Sequence, residues 1–379
     1  MISAWTKARA GTLSAFMVVL LAATAQAPTS LKEASKGDFV VGAAINEAQI
    51  TGRDTRGDAL IETQFNSISP ENVLKWERVN PQPNKYDFDL ADQYVAYGQK
   101  HHMFIVGHNL VWHNQVPAWV FRDEQGNPLD RDALLKRMRD HIHTVVGRYK
   151  GRIQSWDVVN EALNEDGTLR QSPWLKIIGE DYIEKAFEYA HEADPQARLN
   201  YNDYNLENAS KRNGAVALVK KLQGKGVPIA CVGLQGHDTL TWPTVEQEDD
   251  SISAFSALGV KVAISELDID VLPAPAQEPT GDVSLKIEQN PALNPYAKGL
   301  PDPVQQQLAK RYADLFSVFL KHRDAVERVT FWGVSDGDSW LNSWPVRGRT
   351  SYPLLFDRDG RTKPAYDAVV RTLAEAHSK

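Results

Sequence analysis

Cysteine is almost absent from this sequence of 379 residues. Because Cys231 is the only one, the chain can form neither an internal disulfide nor a CxxC metal or redox pair. An excess of basic residues is also missing, and the net charge of −7 provides no basic surface for nucleic acid or anionic lipid. A neutral polymer is therefore a better candidate partner than either of these.

Long hydrophobic runs are scarce as well. The one near the start, from about Leu13 to Thr24, is too short to span a bilayer, and it has basic residues before it and small residues after it. This three-part layout is typical of a secretory signal. We therefore predict a signal peptide over residues 1–27, followed by a secreted or periplasmic protein over residues 28–379. We expect this protein to be a monomer without a membrane anchor.

The rest of the chain alternates between strand-like and helix-like runs. Eight strands are predicted, over residues 38–46, 65–72, 103–113, 153–162, 198–205, 229–237, 261–269 and 328–336. Helical periods fall between them, as in 132–151, 181–193, 211–226 and 302–326, and a last helix covers 365–379. This pattern predicts an α/β protein of one domain, a (β/α)₈ barrel of the TIM type. An open doubly wound sheet is the alternative, but the glycine-rich phosphate loop typical of such sheets is missing.

Polar residues gather at the carboxyl ends of these predicted strands, where a barrel builds its functional site. The strand that ends in "ISELDID" carries Glu266, Asp268 and Asp270 at alternate positions. Strict alternation would put all three on one face with Val262 and Ile264. Such acids are catalytic, hold a metal, or are simply solvated where the strand meets its loop.

Two glutamates stand out because each ends an apolar strand. On the fourth predicted strand, Asp157, Val159 and Glu161 alternate, and we expect all three to face inward. On the seventh predicted strand, Glu266 likewise ends an alternation that starts with Ile264. Paired carboxyls are how most glycosidases cleave acetals. At about 5.5 Å and an effective dielectric of about 20, the charge on one would disfavour ionisation of the other by roughly 3 kcal/mol, so one would stay protonated near neutral pH.

The tryptophans favour a sugar substrate, because the apolar faces of pyranose rings pack on flat indole surfaces. We expect Trp112, Trp332 and Trp340 to line the site. A second set of tryptophans in the same motifs is expected to be core, namely Trp76, Trp119 and Trp156.

Taken together, these motifs resemble those of glycoside hydrolase family 10 endo-β-1,4-xylanases. The similarity runs from about Leu31 to the end and rests on "ENVLKWE", "GHNLVWHNQVPAWV", "WDVVNEALNEDGTLRQSPW", "YNDYN", "VGLQGH", "SELDI" and "WGVSDGDSW". The resemblance implies hydrolysis of internal β-1,4-xylosidic bonds of xylan with retention of configuration. It implies Glu161 as general acid/base and Glu266 as nucleophile, without a metal or other cofactor.

The resemblance also implies substrate-binding residues. It implies that Asn160 bonds to the 2-hydroxyl of the sugar in the −1 subsite. Asp157 and Asp268 are expected to lie behind the residues that touch the substrate, with Asp268 behind His237. The remaining substrate-binding residues that it implies are Glu71, Asn72, Lys75, His108, Trp112, Tyr204, Gln235, His237, Trp332 and Trp340.

Some alternatives stay open at the level of sequence. Lys75 could be a surface charge, and Asp270 is expected to cap or solvate the loop that follows it. Histidine pairs at 101–102 and 141–143 raise the possibility of a metal-dependent barrel hydrolase, although both fall in or beside predicted helices. A sugar-binding barrel without activity is the other rival. The segment 273–301 is longer than the family pattern predicts and has no clear period.

Overall fold

The computed structural model describes Met1 and residues 30–275, 286–288 and 290–377. Apart from Met1, the predicted signal peptide lies outside the described residues, and so does part of the segment 273–301. None of the helices in the described part is long and apolar enough to cross a membrane.

Eight parallel strands form a closed barrel, as the sequence predicted. Each strand pairs with the next in parallel, and the pairs β1–β9 and β6–β8 close the ring. A ninth, short strand, β7 (His237–Thr239), pairs only with β8. The barrel strands are β1 (Val40–Ile45), β2 (Ser67–Pro70), β3 (Phe104–Val111), β4 (Ser155–Asn160), β5 (Arg198–Asp203), β6 (Cys231–Leu234), β8 (Lys261–Asp270) and β9 (Val326–Phe331).

Helices cover the outside of this barrel. The sequence pattern explains why: α8, for example, buries Tyr182, Ile183, Ala186, Phe187 and Ala190, a spacing that forms one apolar stripe. The helices are α1 (Leu31–Ala34), α2 (Glu47–Ile50), α3 (Thr55–Gln64), α4 (Trp76–Val79), α5 (Asp89–Lys100), α6 (Arg131–Arg148), α7 (Pro173–Ile178), α8 (Tyr182–Ala193), α9 (Ala209–Gly224), α10 (Val245–Ser256), α11 (Asp302–Lys321) and α12 (Pro364–Ala376).

Local chemistry sets several helix starts. The Asp130 carboxylate accepts the backbone N–H of Ala133 before α6, and Thr244 and Gln247 form a reciprocal capping box before α10. Every residue of β2, β4 and β6 is buried, because one face packs inside the barrel and the other under helices. The core therefore has two layers, and the strand ends remain free to build a site.

The predicted alternation fails at two bulges. In β8 the register advances from Ile264 to Leu267 while β9 advances only from Val329 to Phe331. The phase therefore changes between Ile264 and Glu266, and the prediction that these two share a face is wrong. Ser265 and Glu266 instead both bond to Asn202, at 2.5 and 2.7 Å.

The second bulge is in β4. Asp157 pairs with Asn200 and Val159 with Tyr201, so β4 carries one extra residue. Val159 consequently shares the outward phase of Tyr201, and the expected inward series of Asp157, Val159 and Glu161 is wrong. Glu161 reaches the cleft because its backbone turns there, with a φ of 55°.

Candidate active site

A cleft of about 1690 Å³ lies over the carboxyl ends of the barrel strands. Both glutamates line it, together with Asp268 and every residue that the sequence analysis named as substrate-binding. Asp157 is buried and bonds to His108, one of the lining residues. Residues separated by more than 260 positions in the chain are thus brought to one opening, which is what a barrel does with its strand ends.

Glu161 is buried among hydrogen-bond donors. Its Oε2 accepts the indole N–H of Trp112 at 2.8 Å, and its Oε1 accepts the amides of Gln235 at 3.1 Å and Asn160 at 3.2 Å. Burial is the main cause that raises the pKa of Glu161, followed by the charge of Asp203. The charge of Glu266 ranks below both, so the sequence analysis named a lesser cause.

Glu266 is equally buried, but its pKa is lowered. Burial alone would raise this pKa, and the hydrogen bond from His237, the charges of His108 and His237, and the amide of Asn202 together outweigh it. The imidazole Nε2 of His237 lies 3.3 Å from Glu266 Oε2, and Asn202 donates to Oε1 at 2.7 Å. The pKa values of the two glutamates are therefore shifted in opposite directions.

His237 lies between two carboxylates. Its Nδ1 is 3.0 Å from Asp268 Oδ1, and its Nε2 faces Glu266. Burial lowers the pKa of His237, but the charge and hydrogen bond of Asp268, with those of Glu266, raise it to about 10. Asp268 also accepts the indole N–H of Trp340 at 2.7 Å, so one carboxylate orients both rings.

Amide networks connect β4 and β8 across the two strands that separate them. Asn202 of β5 donates both to Asn160 Oδ1, at 2.8 Å, and to Glu266. Gly233, its neighbour on β6, makes room for this, because a Cβ there would lie 2.1 Å from Asn202 Oδ1. Asn160 and Glu161, although adjacent, both face the cleft.

One wall of the cleft is built on Lys75. Its ammonium donates to Asn72 at 3.0 Å and to Gln115 at 2.7 Å, and it lies 5.0 Å from the ring centroid of Trp112. Lys75 is only 6% exposed, so the alternative of a surface charge is wrong. Burial lowers its pKa, and burial raises the pKa of Glu71 on the same wall.

Aromatic rings also line the cleft. His108 and Trp332 meet edge to face with centroids 5.4 Å apart, and the Trp340 ring lies 4.9 Å from His237. The His108 ring is fixed from behind by Asp157, whose Oδ2 is 3.0 Å from Nδ1. Rings held in this way offer flat apolar faces beside polar groups, which is what a sugar requires.

Tyr204 lies at a third side, at the end of β5. Its hydroxyl accepts a hydrogen bond from Arg170 at 2.7 Å, and the Lys211 ammonium lies 3.4 Å from its ring centroid. Arg170 also donates to the backbone oxygen of Glu161 at 3.0 Å. The aromatic ring is thereby linked to the backbone of Glu161.

Several cleft residues were missed by the sequence analysis. Trp344 stacks on Trp340 with centroids 4.4 Å apart, and Asp270 caps its loop as predicted, through Leu272 N at 2.9 Å, but also pairs with Arg349 at 2.9 Å. Gln115 and Trp344 stood in or near motifs that were quoted, so closer attention to those motifs could have found them. Arg170 lies in the same quoted motif as Glu161 and could have been found in the same way, whereas Arg349 gave no comparable signal. The others that line the cleft include Trp242, Glu165, Asn205 and Asn208.

The histidine pairs lie away from the cleft. His141 of α6 is buried and stacks on Trp76 at 3.5 Å, and its burial lowers its pKa to about 3, while His143 pairs with Glu192. Within the described ranges, no group of three or more His, Cys, Asp or Glu side chains is arranged to hold a metal ion.

A short serine motif follows β9. Residues 333–337, "GVSDG", have G-x-S-x-G spacing. However, the Ser335 hydroxyl donates to the Asp338 carboxylate at 2.8 Å, an arrangement without the imidazole that a serine nucleophile needs. Carboxyl chemistry therefore remains the chemistry of this site.

A closed (β/α)₈ barrel with two buried carboxyls of opposite pKa shift, set among aromatic rings and amides, defines a glycoside hydrolase. The family model described as "Glycosyl hydrolase family 10" matches residues 30–372. The chain belongs to that family.

Known relatives agree in length and fold. The chain is 44% identical over 355 residues to endo-1,4-beta-xylanase A of Xylanibacter ruminicola, covering 94% of this chain and 96% of the relative. It is 44% identical to a beta-1,4-xylanase of Dictyoglomus thermophilum, covering 90% of each. A solved GH10 endoxylanase from a sugarcane soil metagenome is 48% identical, with a TM-score of 0.87 over 91% of this chain and all of that one.

Proposed function

We propose that this protein is an endo-1,4-β-xylanase that cleaves internal xylosidic bonds with retention, with Glu266 as nucleophile and Glu161 as general acid/base. The observation that carries the proposal is the opposite pKa shift of two carboxyls in one cleft, raised for Glu161 and lowered for Glu266. Such a pair provides a proton donor and an anionic nucleophile at the same pH. The relatives named as xylanases support the substrate.

In the first step, Glu266 attacks the anomeric carbon while Glu161 protonates the departing oxygen. The C–O bond to the leaving sugar breaks, and an ester forms between the sugar and Glu266. The donors on Glu266, Asn202 and His237, keep it ionised until attack. The proton of Glu161 moves to the oxygen of the leaving sugar, and Glu161 remains as a carboxylate when that sugar departs.

In the second step, Glu161 takes a proton from water, which attacks the anomeric carbon and releases Glu266. The loss of charge on Glu266 in the ester removes one of the causes that raise the pKa of Glu161, so Glu161 can serve as base. Two inversions at one carbon give net retention.

The cleft walls support the proposed binding roles. His108, Trp332 and Trp340 would enclose the −1 sugar, with Asn160 at its 2-hydroxyl and Gln235 between the two glutamates. Other cleft residues would bind the sugars on either side of the −1 sugar. Glu71, Asn72 and Lys75 would bind the sugar in the −2 subsite, and Tyr204 the sugar in the +1 subsite. Trp112 would lie beside the −1 subsite.

The direct test is incubation with unsubstituted xylan, arabinoxylan, glucuronoxylan and cellulose, followed by sizing of the products and NMR of the first-formed anomer. We expect a ladder of short β-anomeric xylo-oligosaccharides from the xylans. Release of xylose alone, or of the α-anomer, would contradict endo action or retention respectively. Overnight chelation should leave the rate unchanged, whereas a metal-dependent hydrolase would lose it, and a non-catalytic binder would release no sugar at all.

The remaining sequence-based predictions are part of the same proposal. Residues 1–27 would act as a secretory signal and residues 28–379 as one catalytic domain, working outside the cytoplasm as a monomer. N-terminal sequencing of the protein recovered from the periplasm or medium, and its elution volume in gel filtration, would test these points.

A further inference from the structure

The backbone that follows β4 is fastened to β5 at three successive residues. The N–H groups of residues 161–163 bond in turn to Asn202 O, the Tyr201 hydroxyl and an Asp203 carboxylate oxygen, at 2.9, 3.2 and 3.4 Å. Glu161 has the positive φ of 55° at the start of this run. A non-glycine residue keeps such a conformation only where its surroundings fix it, and β5 does so here.

Asp203 has a second set of partners behind this backbone. Its Oδ1 accepts the Lys211 ammonium at 3.0 Å and the backbone N–H of Tyr204 at 2.9 Å, and its Oδ2 accepts the Tyr201 hydroxyl. The side chains of Asp203 and Lys211 are both fully buried. Water therefore does little to screen the charge of Asp203.

This charge acts on Glu161. After burial, Asp203 is the largest cause that raises the pKa of Glu161, ahead of Glu266. Burial raises the pKa of Asp203 itself, and the charge of Lys211 opposes part of that rise. Burial acts to lower the pKa of Lys211, but the charge of Asp203 and the other groups around Lys211 together outweigh it, so the pKa of Lys211 is raised. The charge of Glu266 is lost when the glycosyl ester forms, whereas neither chemical step forms a bond to Asp203, whose four donors favour the carboxylate.

We propose that Asp203 is a positioning residue for Glu161: it accepts the N–H of Leu163 and the Tyr201 hydroxyl that holds Ala162, and, paired with Lys211, it places a negative charge behind the acid/base in both chemical steps. This inference rests on the proposed function, in which Glu161 is the proton donor. Asp203 touches no substrate, because it is fully buried beneath the cleft.

Other ionisable groups surround Asp203 and Lys211, and Glu266 is a further carboxylate whose charge raises the pKa of Glu161. The groups that face Glu161 or its neighbour Glu266 are Lys75 before α4, His108 of β3, Arg170 before α7, Tyr204 after β5, His237 of β7 and Glu266 of β8. Those that face Asp203 or Lys211 include Tyr201, Tyr204, Arg170, Tyr182, Glu165 and Glu207.

The test is the pH dependence of kcat/KM in Asp203→Asn. Because Glu161 must be protonated in the first step, its pKa sets the alkaline limb for xylo-oligosaccharides. Removal of the neighbouring negative charge should move that limb to lower pH, by about one pH unit. With an aryl xyloside whose leaving group needs no proton, kcat/KM should lack this shift.

Asp336→Asn is the matched control, because Asp336 is also buried and also pairs with a lysine, Lys363, at 2.9 Å. It should lower the melting temperature while leaving the alkaline limb unchanged. If Asp203→Asn lowers stability and kcat/KM at every pH but leaves the limb in place, the residue is only structural and the inference fails. Failure of the proposed function is distinct, since the wild type itself would then release no xylo-oligosaccharides.

Discussion

Two groups of buried carboxyls lie near His237, and their pKa values are shifted in opposite directions. In the cleft, Glu266 accepts from His237 and Asn202, and its pKa falls. Beside it lies an inner cluster of three acids, Glu207, Asp238 and Glu248, all at most 3% exposed, of which Asp238 also borders the cleft.

The inner cluster has far fewer donors. Glu207 Oε1 and Asp238 Oδ1 have no hydrogen-bond partner in the described part of the chain, and the cation paired with Asp238 is Arg311, at 3.2 Å. Burial, the first cause in each case, raises the pKa of Glu207 to about 7 and those of Asp238 and Glu248 well above their usual range. Burial thus favours the neutral acid everywhere, and directed donors and cations decide where a carboxylate survives.

Removal of the stabilised carboxylate should have the largest effect. Glu266→Ala is expected to reduce kcat for xylan by about 10⁵-fold or more, because no ester can form. Reducing-sugar release and an unchanged circular dichroism spectrum would check it. Glu188→Ala, a partly exposed change on α8, should keep full activity; more than about 1% residual activity in Glu266→Ala would refute its role as nucleophile.

Removal of Glu161, the carboxyl with the raised pKa, should separate two kinds of substrate. Glu161→Ala is expected to reduce kcat/KM for xylan by roughly 10² to 10⁴-fold, because the leaving sugar needs a proton. Aryl glycosides with an acidic phenol should still be cleaved at nearly the wild-type first-step rate, measured as the burst of released phenol. Equal loss on both substrates in a folded variant would show that the roles are wrongly assigned.

Removal of a donor should make Glu266 resemble the inner cluster. His237→Asn deletes the cation beside Glu266, so the pKa of Glu266 should rise and the acid limb of kcat/KM should move to higher pH, by about one unit. His143→Asn, which removes an imidazole paired with Glu192 on the outside of the barrel, is the control and should leave the limb in place. An acid limb that stays fixed in His237→Asn would mean that other donors suffice.

The difference between the two groups also marks what sequence reasoning can reach. The barrel followed from the strand and helix periods, and the cleft walls from motifs at the strand ends, because both depend on local pattern. The bulges at residue 158 and at 265–266 did not, since they are set by the register of neighbouring strands. Glu207 and Glu248 flank or lie on helices, where an isolated acid predicts a solvated side chain, and only the packing of α10 and β7 reveals them as buried.

The smallest effect is expected on stability, from Glu207→Gln in the inner cluster. The folded pKa of Glu207 is about 7 and its ordinary value 4.5, so between these pH values only the folded state keeps the proton. Its contribution is complete below pH 4.5 and is lost as the pH rises through 7, on the order of 2 to 3 kcal/mol. The wild-type melting temperature should therefore fall between pH 5 and 8 by roughly 4 °C more than that of the variant.

Glu246→Gln on the exposed side of α10 gives the control for this measurement, and its curve should run parallel to that of the wild type. His237, whose pKa is raised to about 10, also loses stability with rising pH, but its window lies above its ordinary value of 6.5. The raised pKa values of Asp238, Glu248 and Asp336 add to the slope between pH 5 and 6 in both proteins. The difference between the wild-type slope and that of Glu207→Gln therefore reports on Glu207. If that slope is the same in Glu207→Gln and the wild type, Glu207 is ionised in the folded protein, and the cluster must contain a donor or cation that balances its charge.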